Sequence, residues 1–207
     1  MPLVHHPQFE PLQRRIAAGA EAIQEWDGRV FRCVELPWAR PAYLVSGNGT
    51  RQHGGRWIEP GVTEVVHAAT TEALSLKESR GVFAYYGIRR PGNTPRVSVE
   101  LELRLGRVLN LARGEGVLAP IHVEELLRED WRKLNQQGRE TLGQALGRAA
   151  WAVGLEGMLV PSARDRRARN LVWFPGNLES GSRCTIVGER ELARWIADVP
   201  ADVQKSD

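Results

Sequence analysis

The sequence predicts a single domain of the α+β class. Its 207 residues are enough for one full-sized hydrophobic core. Predicted helices lie at both ends, and short predicted strands cluster in both halves of the chain around intervening helices. This order lacks the regular strand–helix–strand alternation of a parallel α/β protein, and no internal repeat is visible.

The N-terminal quarter predicts a helix, a strand and a long loop. Apolar residues fall on one helical face between residues 8 and 25, and Gly28 is a stop signal. Residues 29–36, RVFRCVEL, are typical of a strand. Residues 37–55 are rich in residues that tolerate unusual backbone angles and predict a loop. A long loop inside a compact domain is more often functional than idle.

Residues 54–78, GGRWIEPGVTEVVHAATTEALSLKE, are the stretch around which the rest of the chain is organised. Glycine and Pro–Gly turns flank Arg56 and Trp57. A β-branched pair predicts a short strand before His67, and a helix with threonine caps then carries Glu78. The segment therefore presents a cation, a ring and a carboxylate from a loop, a strand end and a helix.

The second half of the chain alternates between helices and strands. The strongest strand signal is residues 96–105, RVSVELELRL, where apolar and polar residues alternate so that one face meets the core and the other meets water. The other predicted elements are a helix at 71–86, a polar turn at 89–95, strands at 108–111, 157–160, 170–174 and 184–187, and helices at 122–129, 141–153 and 189–199. These elements predict a helical segment over 1–28 packed on a domain over 29–199, and a flexible tail over 200–207.

The composition is that of an ordinary globular protein. Hydrophobic residues make up 42% of the chain and charged residues 26%. No apolar run approaches the ~20 residues of a membrane span, and the N-terminus has no secretory signal, so we expect a cytoplasmic protein. A net charge of +3 does not require a polyanionic partner.

The cysteines and histidines do not predict a metal site. Cys33 and Cys184 lie in apolar, strand-like surroundings, which favours buried reduced thiols over a disulfide. Neither belongs to a CxxC pair, and the His5–His6 pair has no partner cluster. We therefore expect no bound metal.

Three side chains of the central stretch are candidates for chemistry, and each has a commoner structural role. Arg56 beside Trp57 offers a guanidinium for a phosphate and an indole for a flat ring, but such a pair is more often an arginine stacked on an exposed ring at a turn. Glu78 lies near the core boundary of its helix, where a solvated glutamate paired with a nearby cation is the usual case. His67 at a strand end is more often a half-buried, hydrogen-bonded histidine.

Ser162 follows an apolar strand, a position where many α/β sites place working residues. The sequence nevertheless argues against a serine hydrolase, because the flanks of Ser162 lack the GxSxG pattern. His67 and Asp165 are available for a triad, but nothing in their spacing supports one.

The basic cluster of Arg164, Arg166, Arg167 and Arg169 suggests a nucleic-acid-binding module as an alternative. Asp165 interrupts the cluster, and no aromatic residues are interleaved with it. A basic flap over an anionic small molecule fits equally well, and a solvated loop is the commonest outcome. Direct nucleic-acid binding is therefore not the favoured interpretation.

The order of several short motifs resembles the RES domain, a bacterial family named for its arginine, glutamate and serine. The motifs are GGRW at 54–57, PG at 60–61, the strand that ends at His67, ALSLKE ending at Glu78, LGRVLNL at 105–111, the helix before Trp151, GLEGMLVPSAR at 154–164 and NLVWFPGNL at 170–178. Each motif is weak alone, but their order is fairly specific, and the resemblance covers residues 29–187.

The resemblance implies a fold and an activity. The implied fold is like that of the ADP-ribosyltransferases, with two small mixed or antiparallel sheets flanked by helices. Members are typically toxins of toxin–antitoxin pairs that consume NAD+ by hydrolysis or phosphorolysis, or that transfer ADP-ribose to a protein. The resemblance therefore implies NAD+ as substrate, inorganic phosphate as a candidate co-substrate and a helix-turn-helix antitoxin as partner.

The family's arginine, glutamate and serine correspond to Arg56, Glu78 and Ser162, which the resemblance makes the catalytic set. Arg56 would hold the pyrophosphate, Glu78 would support positive charge on the ribose, and Ser162 would orient the ribose or the acceptor. His67 stands where many members carry a tyrosine. Its imidazole can stack on nicotinamide or bond to ribose, but it ordinarily titrates near neutrality. We therefore expect the activity to depend on pH differently from that of those members, or to be reduced. The other predicted binding residues are Trp57 and Arg32.

Three functions stay open on the sequence alone. The first is an NAD+-degrading enzyme, with protein ADP-ribosylation as its variant. The second is a nucleic-acid-binding module that uses the arginines at 164–169. The third is a catalytically silent member of the family that binds a partner, which the histidine at position 67 makes worth testing.

Overall fold

The computed structural model describes residues 3–87, 95–111, 118–119, 121–165 and 167–200. Outside the described residues lie positions 201–207 of the predicted tail, most of the predicted polar turn at 89–95, and Arg166. The helices are α1 (Phe9–Ala18), α2 (Pro41–Val45), α3 (Asn48–His53), α4 (Glu72–Ser79), α5 (Gly81–Tyr85), α6 (Val123–Arg128), α7 (Trp131–Gln136), α8 (Leu142–Ala152) and α9 (Glu189–Asp198). The strands are β1 (Ile23–Glu35), β2 (Val66–Ala69), β3 (Arg96–Asn110), β4 (Gly157–Pro161), β5 (Arg169–Trp173) and β6 (Arg183–Ile186).

The strands form one mixed sheet, so the predicted α+β class is confirmed. The sheet order is β1-β2-β5-β4-β3-β6, and a further pairing of β1 with β3 closes five of the strands into a ring. β3 and β4 are parallel, and the other pairs are antiparallel.

The expectation of two small sheets is wrong because β3 is long enough to pair with β1, β4 and β6 and so to join the strands into one sheet. The predicted strands at 96–105 and 108–111 are one strand of 15 residues. One edge of β3 pairs with β1 from Ile23↔Leu109 to Glu35↔Arg96, and the other edge pairs with both β4 and β6.

Along β3, one face of the sheet is buried and the other is largely exposed. At β4 and β5 both faces are buried, because alternate residues of these strands point into two different cores. One core holds Met158 and Val172 under α1 and α8. The other holds Leu159 and Leu171 with the apolar side of β3 and Leu44 of α2.

Several element boundaries differ from the sequence prediction. The helix expected over 8–25 ends at Ala18, where the N–H of Gly19 donates to two carbonyls of the last turn, and β1 begins at Ile23. The helix expected over 71–86 is broken at Arg80 into α4 and α5. The loop at 37–55 contains α2 and α3, and α7 was not predicted.

The structure also bears on the cysteines, membrane spans and metal ligands. Cys33 and Cys184 are free thiols, and burial raises the pKa of Cys184 to about 11. Within the described residues, no helix is long and apolar enough to cross a membrane. The same residues include no group of three or more histidine, cysteine or carboxylate side chains placed to hold a metal ion.

Candidate functional site

The site lies in a cleft where β1 and β2 separate. These strands pair at a single position, Phe31↔Ala69, and then diverge. Three adjoining cavities occupy the cleft. A cavity of about 150 Å³ between the separated strands, the strand cavity, is lined by Arg32, Glu78 and Asn170. The other two are larger and share lining residues with it and with each other.

The second cavity, of about 500 Å³, is lined by Arg56, Arg132 and Arg164 and is called the arginine cavity. The third, of about 700 Å³, is lined by Trp38 and Tyr43 and is called the aromatic cavity. His67 lines all three cavities, and Glu78 lines the strand and arginine cavities.

Glu78 is held by two neutral donors. The hydroxyl of Ser162 donates to Glu78 Oε1 at 2.6 Å, and the Nδ2 of Asn170 donates to the same oxygen at 2.8 Å. Within the described part of the chain no hydrogen bond reaches Oε2. The arrangement fixes the carboxylate without neutralising its charge, and it leaves one oxygen for a ligand.

Three distant parts of the chain bring these groups together. Thr71 caps α4 by accepting from the N–H of Leu74, and the helix carries Glu78 in its last turn. Asn170 lies in β5 opposite Ala69 of β2. Ser162 follows the last residue of β4.

Ser162 is 0% exposed and also organises the loop that follows it. Its Oγ accepts from the backbone N–H groups of Arg164 at 2.9 Å and Asp165 at 3.2 Å. Lys77 Nζ then pairs with Asp165 Oδ2 at 2.8 Å, which ties the loop to α4. The hydroxyl therefore fixes both the carboxylate and one wall of the cleft.

The turn that carries Arg56 is fixed by α8. The buried Gln144 donates from Nε2 to the carbonyl of Gly55 at 2.9 Å. Gly147 allows the turn to approach the helix, since a Cβ at this position would lie 1.6 Å from the carbonyl oxygen of Trp57. Thr141 and Gln144 form the capping box that begins α8, so the start of one helix sets the position of the turn.

The guanidinium of Arg56 is partly committed to backbone acceptors. Its Nη1 donates to the carbonyls of Leu126, Leu127 and Glu129, each at 3.2 Å. Burial lowers the pKa of Arg56, and the nearby charge of Glu78 acts in the opposite direction. One nitrogen anchors the side chain at the end of α6, and the group lines the arginine cavity.

The arginine cavity carries an excess of positive charge. Arg164 donates from Nη2 to the carbonyl of Gly81 at 2.8 Å. The guanidinium of Arg132 lies over the rings of Trp131 at 4.2 Å and Tyr85 at 4.9 Å. With Arg56, three arginines line a cavity whose described lining contains a single carboxylate, Glu78. This charge suits a ligand with phosphate groups.

His67 and Arg32 are both perturbed by burial in the cleft. Burial, assisted by the charge of Arg32, lowers the pKa of His67 to about 4, so the ring is neutral at pH 7. The expectation that His67 titrates near neutrality is therefore wrong. Arg32 donates from Nη1 to the carbonyl of Leu44 at 2.6 Å, and burial lowers its pKa to about 10.

Trp57 belongs mainly to the core. It is 3% exposed and packs in the core beneath α1 and α8, although it also forms part of the wall of the arginine cavity. The structural role considered for Trp57, an exposed indole at a turn, is therefore wrong.

A catalytic triad and the basic cluster at 164–169 are the alternatives to this site. Ser162 donates to Glu78 rather than to His67, and Asp165 pairs with Lys77, so no serine–histidine–aspartate triad forms. Arg164 lines the cavity, Arg167 is exposed and Arg169 is half-buried in β5. Of the described members of the basic cluster, Arg164 alone lines the arginine cavity.

Sequence reasoning missed Asn170, Arg132, Gln144 and Gly147. Asn170 opens the NLVWFPGNL motif, and a polar residue before an apolar strand was the available signal. The capping pattern at Thr141 marked the start of α8 but not the bond from Gln144 to the turn. The contacts of Gly147 and Arg132 had no sequence signal, because they depend on how distant segments pack.

Comparisons with known proteins bear on the fold and the family of the chain. A chain in the crystal structure of the M. tuberculosis MbcT–MbcA toxin–antitoxin complex has a similar fold, with a TM-score of 0.56 and 23% sequence identity. The match covers 89% of this chain and 98% of that one. The comparison with curated proteins finds no match. The family model of the RES domain matches residues 29–196, and the chain therefore belongs to the RES domain family.

Proposed function

We propose that this protein is an NAD+-degrading enzyme that cleaves the bond between nicotinamide and ribose at Glu78. The observation that carries the proposal is the state of this carboxylate. It is fixed by a hydroxyl and an amide, it has no cation bonded to it within the described residues, and it lies between a small cavity and a cavity lined by arginines.

The cleavage reaction matches that carboxylate. The bond between C1′ of the ribose and the ring nitrogen breaks, and its electron pair leaves with nicotinamide, which departs neutral. Positive charge then develops on the ribose. A preorganised negative charge at that point stabilises the transition state more than the ground state, which is the condition for rate acceleration.

Each neighbouring residue has a role in the proposal. Arg56 binds the pyrophosphate in the arginine cavity, with Arg132 and Arg164 adding positive charge. Ser162 and Asn170 hold Glu78 in place. His67, neutral at pH 7, packs against the nicotinamide or accepts a hydrogen bond from a ribose hydroxyl. Trp57 forms part of the wall of the arginine cavity, and Arg32 lines the strand cavity, where the nicotinamide lies.

The acceptor of the ADP-ribose group is either water or inorganic phosphate. In cells, this consumption of NAD+ makes the protein a toxin. Family membership and the fold shared with a chain of a toxin–antitoxin complex support this part of the proposal. We infer that the neutralising partner is a helix-turn-helix antitoxin, that the fold is of the ADP-ribosyltransferase type, and that the enzyme acts in the cytoplasm, where NAD+ is abundant.

The test is to incubate the purified protein with NAD+, with and without phosphate, and to follow nicotinamide. Release of nicotinamide with free ADP-ribose indicates hydrolysis, and release with ADP-ribose phosphorylated at C1″ indicates phosphorolysis. Release that leaves ADP-ribose on a protein indicates transfer. Intact NAD+ under all conditions overturns the proposal and favours a partner-binding member of the family.

A second measurement tests the cellular role. We expect growth arrest on expression to coincide with falling cellular NAD+. Arrest with undiminished NAD+ contradicts NAD+ depletion as its cause and favours modification of a protein target.

A further inference from the structure

The loop between β4 and β5 is a short hairpin whose tip is fixed by its own hydrogen bonds. The N–H of Ser162 donates to the carbonyl of Ala168 at 3.2 Å, and the N–H of Ala168 donates to the carbonyl of Asp165 at 3.0 Å. The side chain of Asp165 accepts from the N–H of Arg167 through Oδ1 at 3.2 Å. The carboxylate of Asp165 is therefore held at the tip of the hairpin, where its other oxygen can bind a second element.

This tip contacts α4 at two consecutive residues. Ser162 donates to Glu78 Oε1 at 2.6 Å, and Lys77 Nζ donates to Asp165 Oδ2 at 2.8 Å. The two bonds close a ring, because Ser162 Oγ also accepts the N–H of Asp165. Successive side chains of an α-helix point roughly 100° apart, since a turn contains about 3.6 residues. Bonds in two such directions oppose rotation of the helix end, which a single bond does not.

The position of the second oxygen of Glu78 depends on this helix end. Ser162 and Asn170 both donate to Oε1, so together they fix one oxygen of the carboxylate. Within the described residues, Oε2 accepts no hydrogen bond, and its position follows the backbone of α4. One residue of the helix, Ser79, comes after Glu78, so the helix itself gives this end little support. The contact between Lys77 and Asp165 supplies that support from outside the helix.

The ion pair of Lys77 and Asp165 contributes little to the stability of the fold. The two side chains are 56% and 32% exposed, and ion pairs in contact with solvent are weak. The hydrogen bond from Lys77 lowers the pKa of Asp165, so both groups are charged at pH 7. Neither residue belongs to the described lining of the three cavities. What the pair does hold is the end of α4, next to Glu78.

We propose that Lys77 and Asp165 are positioning residues for the cleavage of NAD+, and that they hold the second oxygen of Glu78 in place by fixing the β4–β5 hairpin on the end of α4. This inference rests on the proposed function. A charge stabilises a transition state best when it is already in position before the reaction. Loss of the pair therefore lowers kcat and leaves the KM for NAD+ nearly unchanged.

The experiment measures kcat and KM for nicotinamide release in Lys77→Met, in Asp165→Asn and in the double variant. Each single variant should lower kcat by about three- to tenfold, with KM within about twofold of wild type. The double variant should be no slower than the slower single variant, because both changes remove the same charged bond. Arg29→Met is the matched control, since it removes an exposed ion pair between β1 and β3 and should leave both constants unchanged.

A conservative variant and a measurement that does not depend on catalysis complete the test. Lys77→Arg keeps a cation that can reach Asp165, so it should retain at least about half of the wild-type kcat. Amide hydrogen exchange reports on the helix end directly. The N–H groups in the last turn of α4 should exchange faster in Lys77→Met than in the wild-type protein or in Arg29→Met.

The outcomes separate this inference from the proposed function. Suppose that the wild-type protein cleaves NAD+. The inference is then overturned, and the enzyme remains, if the single variants keep the wild-type kcat, if their effects add in the double variant, or if Lys77→Arg is as slow as Lys77→Met. A wild-type protein that leaves NAD+ intact overturns the proposed function, and this inference with it, whatever the exchange rates of α4.

Discussion

Two glutamates, Glu78 and Glu140, lie in polar clusters of similar size but are held by different kinds of donor. Glu140 is fully buried and is bonded by both Nε and Nη2 of Arg148, each at 2.8 Å. It also accepts the backbone N–H of His6 at 2.6 Å. Among the residues that the structure describes, the donors to Glu78 are one hydroxyl and one amide, and Glu78 borders two cavities.

The difference shows which carboxylate can act on a ligand. A carboxylate paired with an arginine has its charge matched inside the protein, so its main role is structural. A carboxylate fixed by neutral donors keeps its charge for whatever enters the cavity. The donors thus separate a carboxylate that can act on a ligand from one that stabilises the fold.

The Glu140 cluster also has a structural task near the site. Arg148 Nε lies 3.6 Å from Glu59 Oε1, and the guanidinium stacks on Phe9 of α1. Burial and the charge of Glu140 raise the pKa of Glu59. Because Glu59 follows the turn of Arg56, this cluster holds the N-terminal segment, α8 and the turn together.

The largest expected effect is on stability, from Arg148→Ala. The change leaves Glu140 buried without its cation, which should lower the free energy of unfolding by about 3–5 kcal/mol. Urea denaturation measures this. Arg14→Ala on the exposed side of α1 is the control and should change stability by no more than about 0.5 kcal/mol. A loss below about 1 kcal/mol for Arg148→Ala would mean that this cluster does not hold the scaffold.

The next effect is on catalysis, from Glu78→Gln. The variant keeps the shape and an acceptor oxygen but removes the charge, so nicotinamide release should slow by about 100- to 1,000-fold with little change in unfolding free energy. Glu72→Gln, an exposed position in the first turn of α4, should cleave NAD+ at the wild-type rate. Wild-type turnover in folded Glu78→Gln would remove the distinction between the two glutamates.

Much of the fold could be predicted because its signals are local. The alternation of residues 96–105 and the apolar runs near 157–160 and 170–174 each mark a strand, and the structure has strands at all three places. The sequence could not show that 96–105 and 108–111 are continuous, or that one strand pairs along both edges. Pairing partners depend on distant segments and carry no local pattern.

The candidate site was predictable in part for a similar reason. Arg56, Glu78 and Ser162 were identified by a resemblance to the family, and the structure brings Glu78 and Ser162 into contact across 84 positions. Asn170, which bonds the same oxygen, was missed because an asparagine at a strand start is common. The neutral state of His67 was also missed, since it follows from burial beside Arg32.

A smaller effect is expected from Ser162→Ala. Asn170 still holds Glu78, so nicotinamide release should slow by only about tenfold. Two backbone N–H groups lose their acceptor, which should lower the free energy of unfolding by about 1–3 kcal/mol. The control is Ser180→Ala at an exposed position, where neither quantity should change. A loss as large as that of Glu78→Gln would show that the hydroxyl takes part in the reaction directly.

The smallest effect concerns the pH dependence of stability and His67. The folded pKa of about 4 lies below the ordinary 6.5, so the unfolded chain binds more protons between these values. The free energy of unfolding should therefore rise with pH from about 4 to 6.5 and be flat above. His67→Asn should reduce this rise by about 1–2 kcal/mol. A pKa shift is worth ~1.4 kcal/mol per unit, but solvent at the half-buried ring screens part of that energy. Urea denaturation at several pH values measures the rise, with exposed His53→Asn as control. A rise that is the same in His67→Asn and wild type would show that His67 binds a proton as readily in the folded protein as in the unfolded chain, and would contradict the effect of burial on its pKa.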